Sequence, residues 1–371
     1  MSPRSGRGVV GEAQVQSEGA SIGIEQASMT ALHARTNTAA DVEAVDEIMR
    51  RGGPELRERM ARAEAHLEHV TAESGMPLAS HATATVAAGG KRLRPLLVML
   101  AAESAAGPTA GPDGEQSLVR AAVAVELVHS ATLVHDDLID SAELRRGRPT
   151  VAAVAGRKTA IATGDLLFSR AFAELARNRD PEQLRALSDA SSALAAGELL
   201  QREDAYAADV AVERYLERCR LKTAALFEAA CRLGALVAMD GTAELAAALG
   251  QFAERIGLAF QLLDDVLDVS GPAERTGKAR GTDLLDGTVT LPLILARQRD
   301  EQIASLDLAT LAGPADADAL CEQIAATGAL ETARSRALTV VAEAKAMLPS
   351  VPPHRYDLLE LVADAVVERY C

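Results

Sequence analysis

Residues 121–140 read AAVAVELVHSATLVHDDLID: an apolar run at helical spacing that ends in three aspartates. Asp136 and Asp140 are four apart, so on a helix they share one face a turn apart, while Asp137 lies about 100° round. The arrangement recurs at residues 256–268, IGLAFQLLDDVLD, where Asp264 and Asp268 repeat the spacing. Like charges at i and i+4 modestly destabilise a helix. A solvated helix end accounts for one such cluster. Two clusters of identical spacing, each closing an apolar helix, are a cost that a purely structural surface does not need.

Working outward, the rest of the chain agrees with an all-α reading. Of 371 residues 48% are hydrophobic but only 2% aromatic, with no Trp. A core of Ala, Leu and Val suits helices in close approach, since Ala has the best helix propensity and little bulk. Alternating Val, Ile and Thr runs that would indicate strands are nearly absent. Residues 41–73 are amphipathic, with Leu56, Met60, Ala63 and Leu67 at helical spacing. Helical patterns run on from Pro95, with breaks expected at 107–114, 147–150, 178–182, 271–288, 312–316 and 349–354. Residues 1–40, rich in Gly, Ser, Ala, Thr and Gln, are expected to form a disordered tail before one domain over 41–371.

A net charge of −15 and a pI near 5.0 argue against a nucleic-acid binder, which would carry a basic face or tail. Cys219, Cys231, Cys321 and Cys371 are scattered without CxxC spacing, which fits free thiols in a reducing cytoplasm. No signal-like apolar stretch opens the chain, and Glu126, Arg232 and Asp240 interrupt the best apolar runs, so no transmembrane segment is expected.

Carboxylates without His or Cys partners suit hard ions. Magnesium takes oxygen ligands, keeps several waters and commonly bridges carboxylates to substrate phosphates. A diphosphate held this way also needs fixed cations. Residues 89–95, GGKRLRP, place three cations on a flexible turn just before an apolar helix. Arg145 and Arg146 follow the first cluster, and Arg suits bidentate phosphate contacts. Lys222 and Thr223 lie in the helical stretch LKTAALFEAA, and Lys278 follows the second cluster.

With these pieces in order, the chain resembles the trans-type isoprenyl diphosphate synthases of the polyprenyl synthetase family. The resemblance rests on GGKRLRP (89–95), HSATLVHDDLIDSAELRRGRPT (129–150), GD (164–165), LKTAALF (221–227), FQLLDDVLD (260–268) and GKARGTDLLDGTVTLP (277–292), covering roughly residues 55–371. It implies an isoprenoid synthase type helical bundle around a central cavity and a homodimer. It further implies that Asp136, Asp137, Asp140 and Asp264 carry magnesium, with Asp268 behind them. Lys91, Arg94, His129 and Arg146 would hold isopentenyl diphosphate. Arg145, Lys222 and Lys278 would hold the allylic diphosphate, and Thr223 and Gln261 would steady the allylic cation. On that basis Asp136, Asp140, Arg145, Lys222, Gln261 and Asp264 carry the catalysis. One departure stands out: where the family often has a lysine, in a GKxTLP setting, this chain has Thr288.

The expected reaction ionises the allylic substrate, adds isopentenyl diphosphate to the cation and loses a proton, with no protein base nominated. The product grows along the helix before the first cluster, where one turn rises ~5.4 Å, about one isoprene unit. Bulky aromatics four and five residues before the cluster give short products in the family; here those positions are Thr132 and Ala131, with Val128 a turn deeper. This resembles the long-chain synthases and predicts about C30 to C50. A floor at Phe168 or Phe172 would shorten it to C20 or C25. Two other readings are weighed: a class I terpene cyclase, whose second metal motif is usually not fully acidic, and a regulatory subunit, which typically lacks one cluster.

Overall fold

The computed structural model describes residues 39–73, 78–106, 111–145, 147–238, 242–271, 280–348 and 356–368. The expected tail lies outside them except for its last two residues, which open helix α1 (Ala39–Arg51). Helix α2 (Gly53–Ala72) follows directly. The amphipathic segment over 41–73 is thus two helices. Gly53 adopts a left-handed φ of 76° and Pro54 lacks the amide that would continue α1, so the chain turns and restarts there. Leu56, Ala63 and Leu67 are buried, as their spacing implied.

Helix α3 (Leu78–Ala87), which the apolar pattern alone did not single out, precedes α4 (Leu93–Ala106) and the long α5 (Gly111–Ile139). Helix α5 starts inside the break expected over 107–114. After it, Leu144–Arg145 (β1) pairs antiparallel with Arg148–Pro149 (β2), the only strands among the described residues. Helices α6 (Val151–Ala155), α7 (Arg157–Ala176) and α8 (Pro181–Glu203) come next. At the start of α8, Asp180 caps Glu182 N and Pro181 occupies the first turn, where no amide partner is lost.

Helix α9 (Val212–Cys219) runs through a π-helical turn, Arg220–Ala224, into α10 (Ala225–Val237). Helix α11 (Ala243–Ser270) carries the second acidic cluster in its last turns. The remainder comprises α12 (Thr282–Leu285), α13 (Leu291–Arg297), α14 (Glu301–Ser305), a 3-10 turn (Leu308–Thr310), α15 (Pro314–Ala326), α16 (Ala329–Met347) and α17 (Asp357–Glu368).

The bundle is all-α. Helix α5 packs against α7, α4 and α10, and α11 packs against α10 and α16. Helix α7 returns antiparallel along α5: Gly164 meets His135 near one end, and Asn178 donates to Ser117 O near the other. The stretch Asp113–Ile139 is long and apolar enough to cross a membrane, yet most of it is buried among its neighbours. Its buried Glu126 is satisfied by Arg92, whose Nη1 donates at 2.8 Å while its other nitrogens grip Glu64. Losing Arg92 would strand the buried Glu126 carboxylate, at a cost of about 3 kcal/mol or more. Arg92 reaches both partners from a φ of 48°, which fixes the loop that carries Lys91.

Candidate active site

Both acidic clusters sit where an apolar helix emerges from the core, and in each the aspartates divide by helical angle. On α5, Asp136 is half-buried and Asp140 exposed, while Asp137 is turned inward to 6% exposure. Arg145 Nε, on β1, donates to Asp137 Oδ1 at 2.6 Å. Asp140 pairs with Arg202 of α8 at 3.3 Å. On α11, Asp264 and Asp268 are half-buried and Asp265 is buried at 4%. Asp265 accepts from the Tyr215 hydroxyl at 2.6 Å and from Gln261 Nε2 at 2.7 Å. Burial pushes its carboxyl upward, and these two donors pull the other way. Asp268 accepts the backbone N–H of Asp283 at 3.2 Å, tying the second cluster to the start of α12.

The π turn joins the two clusters. Its extra residue re-aims the side chains that an α-helix would have placed elsewhere. Lys222 Nζ reaches Glu198 Oε2 of α8 at 2.5 Å, and Thr223 Oγ1 donates to Gln261 Oε1 of α11 at 2.7 Å. Two glycines allow this approach. A Cβ on Gly197 would lie 2.5 Å from Lys222 N, and one on Gly257 would lie 2.8 Å from Ala224 Cα. Asp136 is pushed up to about 6, chiefly by burial; Glu198 and Asp140 add to the shift, while Lys222 and Arg145 oppose it. Asp136 therefore feels Lys222 from one side, and Thr223 beside it touches the helix of the second cluster from the other.

A cationic entrance completes the set. Arg94, in the first turn of α4, lies over the Phe227 ring with its guanidinium carbon 4.8 Å from the centroid. Phe227 packs against Phe260 at 5.8 Å. Arg94 Nε is buried without a hydrogen-bond partner, and burial pushes the guanidinium down to about 10. A helix N-terminus with a buried guanidinium whose Nε lacks a partner suits an anion. Lys91 and His129 are half-buried, and His129 lies on α5 two turns before Asp136. Arg146 and Lys278 fall outside the described residues.

The chain matches the polyprenyl synthetase family model over residues 77–326. This chain belongs to that family. Similar proteins include heptaprenyl diphosphate synthase component 2 of Geobacillus stearothermophilus, 39% identical over 76% of this chain and 86% of that one. Geranylgeranyl diphosphate synthase of Methanosarcina mazei is 36% identical over 76% of this chain and 87% of its own. Among solved structures, a polyprenyl synthase from Caulobacter crescentus, complexed with calcium and isoprenyl diphosphate, superposes with a TM-score of 0.79. It is 33% identical, and the match covers 91% of this chain and 100% of that one. Polyprenyl synthetases are prenyltransferases that use isopentenyl and allylic diphosphates, and so is this chain.

Beneath the first cluster lie the residues that the sequence nominated to set product length. Ala131 and Val128 are fully buried. Thr132 is half-buried and spends its hydroxyl on His129 O at 2.8 Å, leaving the methyl as its outer surface. Phe168 stands 5.9 Å from the His135 ring, level with the cluster, so a stop there would be shallower than Val128. Phe172, a turn further along α7, is half-buried against the core. The GD pair acquires a local reason: Gly164 makes room for His135, and Asp165 approaches its Nε2 at 3.6 Å. A hollow of about 450 Å³ between α2 and the start of α5, lined by Arg62, His66, His69 and Glu115, is remote from this chemistry. Val119, on its edge, is 17 residues before Asp136, or ~25 Å along the helix.

Sequence reasoning missed Glu198, Tyr215 and the inward role of Asp265. Gly197-Glu198 inside an Ala- and Leu-rich helix was a usable signal, because an interior glycine costs ~1 kcal/mol against alanine and implies close packing. Tyr215 was one of only four tyrosines in the chain.

Proposed function

We propose that this chain is a magnesium-dependent, chain-elongating (E)-prenyltransferase making a long product, about C30 to C50 on the helical ruler of α5. The observation that supports this most is the π turn. It brings Lys222 to the first acidic cluster and Thr223 to the helix of the second, so that a diphosphate bound between the clusters would meet both.

The donor set suits magnesium. Asp136, Asp140 and Asp264 offer oxygen only, and Asp136 is a carboxylate whose ionisation is opposed by burial and like charge, which a cation would relieve. Among the described residues no three such side chains form a ready-made cage, and magnesium characteristically completes its shell with water and substrate phosphates. When bound, it would neutralise charge on the departing pyrophosphate. Asp137, given its contact with Arg145, would act by holding that guanidinium for the allylic diphosphate, and not as a metal ligand. Lys222 would exchange Glu198 for a phosphate oxygen. Lys91 and Arg94 would hold isopentenyl diphosphate at the start of α4, with His129 opposite. Arg146 and Lys278 would add cations. The amide oxygen of Gln261 and the hydroxyl of Thr223 would face the allylic cation, and released pyrophosphate would take the proton.

The small wall of Val128, Ala131 and Thr132 favours the long product, and the three buried free thiols Cys219, Cys231 and Cys321 fit a cytoplasmic setting. A homodimer is carried from the family resemblance. The test is a product ladder: purified chain, magnesium, labelled isopentenyl diphosphate, and geranyl, farnesyl or geranylgeranyl diphosphate as primer. A ladder to C30 or beyond supports the reading, and a sharp stop at C20 refutes the long product. A second reading has one observation behind it, the relative whose name implies another component. Turnover that appears only with a second polypeptide would favour it.

A further inference from the structure

The hydrogen bonds around Gln261 run in one direction. Thr223 Oγ1 donates to Gln261 Oε1 at 2.7 Å, Gln261 Nε2 donates to Asp265 Oδ1 at 2.7 Å, and the Tyr215 hydroxyl donates to Asp265 Oδ2 at 2.6 Å. Tyr215 is fully buried and Asp265 nearly so, whereas Gln261 and Thr223 are half-buried. The relay thus leads from the core to the zone between the clusters.

Its polarity follows from its anchor. One Asp265 oxygen accepts from Gln261 Nε2 and the other from the Tyr215 hydroxyl, so Gln261 presents its amide nitrogen inward. The amide oxygen is left on the Thr223 side. Thr223 then commits its one proton to that oxygen, which leaves its own lone pairs outward. Both oxygens of Asp265 are occupied, so this carboxylate is turned away from the site. Asp264, one residue earlier, lies about 100° round the helix.

We propose that Asp265 and Tyr215 are positioning residues, which lock the Gln261 amide with its oxygen toward the reacting allylic carbon. The proposal rests on the reading that Thr223 and Gln261 neighbour the allylic cation. A glutamine free to rotate would offer its positive NH₂ end as readily as its negative end. Held by Asp265, it offers a dipole already oriented before charge develops, so none of the stabilisation is spent on turning it. Tyr215 fills the second oxygen of the anchor and fixes its plane.

The test compares two unreactive probes on the magnesium-loaded enzyme by calorimetry. One is an allylic thiolodiphosphate, neutral at the reacting carbon; the other is an allylic ammonium analogue with inorganic pyrophosphate, cationic there. Asp265→Asn lets the amide turn either way, and Tyr215→Phe removes one donor while keeping the packing of the ring. In Asp265→Asn the ammonium probe should bind about tenfold more weakly, with the thiolodiphosphate within about twofold of wild type. Tyr215→Phe should show the same selective loss at about threefold. In both, kcat should fall while KM for either diphosphate holds, and Asp265→Asn in a Gln261→Ala background should add no further loss. Equal weakening of both probes would overturn the proposal. So would a raised magnesium requirement with kcat restored at saturating metal, or an additive loss in the Gln261→Ala background. A wild-type enzyme that elongates no primer would instead sink the prenyltransfer reading, which turnover reports independently of either probe.

Discussion

On α5 the inner aspartate of the cluster grips a cation, Arg145; on α11 the corresponding aspartate anchors a neutral relay of Tyr215 and Gln261. The outer aspartates, by contrast, repeat one another at i and i+4. The spacing dictates this division, because an adjacent residue must turn about 100° away and is driven into the core. What each core side supplies then differs. Beside α5 it is a small ribbon carrying a guanidinium, and beside α11 it is the α9 helix with a buried phenol. On the proposed reading, one sequence pattern serves two ends: a fixed charge for a leaving diphosphate and a fixed dipole for the cation left behind.

The largest expected effect tests what the clusters share. Asp136→Ala and Asp264→Ala should each lower turnover by about a thousandfold with helical circular dichroism unchanged. Chelation with EDTA should abolish turnover reversibly without melting the fold. Near-normal rates in both variants would break the equivalence of the outer aspartates. The next effect separates the inner pair. Asp137→Asn should raise KM for the allylic diphosphate about tenfold, whereas Asp265→Asn should lower kcat about tenfold with KM held. Like behaviour in the two would erase the contrast.

A third prediction concerns only the α5 side: Thr132→Phe should stop the ladder several isoprene units earlier, read by chromatography, with the first additions unslowed. Ala131→Phe is the less clean variant, because that site is fully buried and overpacking costs about 1–3 kcal/mol. The smallest effect is Glu198→Gln. Freed of its 2.5 Å partner, Lys222 should bind inorganic pyrophosphate about threefold more tightly by calorimetry.

The helices and both clusters were legible because helical spacing is local: Leu56, Ala63 and Leu67 fall on one buried face, and Asp136 and Asp140 share another. The turn at Gly53 was not foreseen, and the start of α5 at Gly111 falls inside an expected break, because helix ends depend on single backbone conformations. The π turn was illegible. Its side chains read as an ordinary helix, and only the close passage of Gly197 and Gly257 shows why the backbone widens there. Tyr215, Asp265 and Glu198 escaped for the same reason. Each works through a partner 24 to 50 residues away in the chain, and no spacing rule reaches that far.

The small-residue wall of α5 also bears on how such enzymes diverge. On the proposed reading, a ruler graduated by side chains, one turn per isoprene unit, would be reset by one substitution at Thr132 or Val128 while the catalytic zone above it is untouched. Product length should then turn over in evolution far faster than the fold or the acidic clusters. It should leave overall similarity almost unmarked, as when a heptaprenyl and a geranylgeranyl synthase stand 39% and 36% identical to the same chain. Lineages that need a longer or shorter product would then have a single-step path to it.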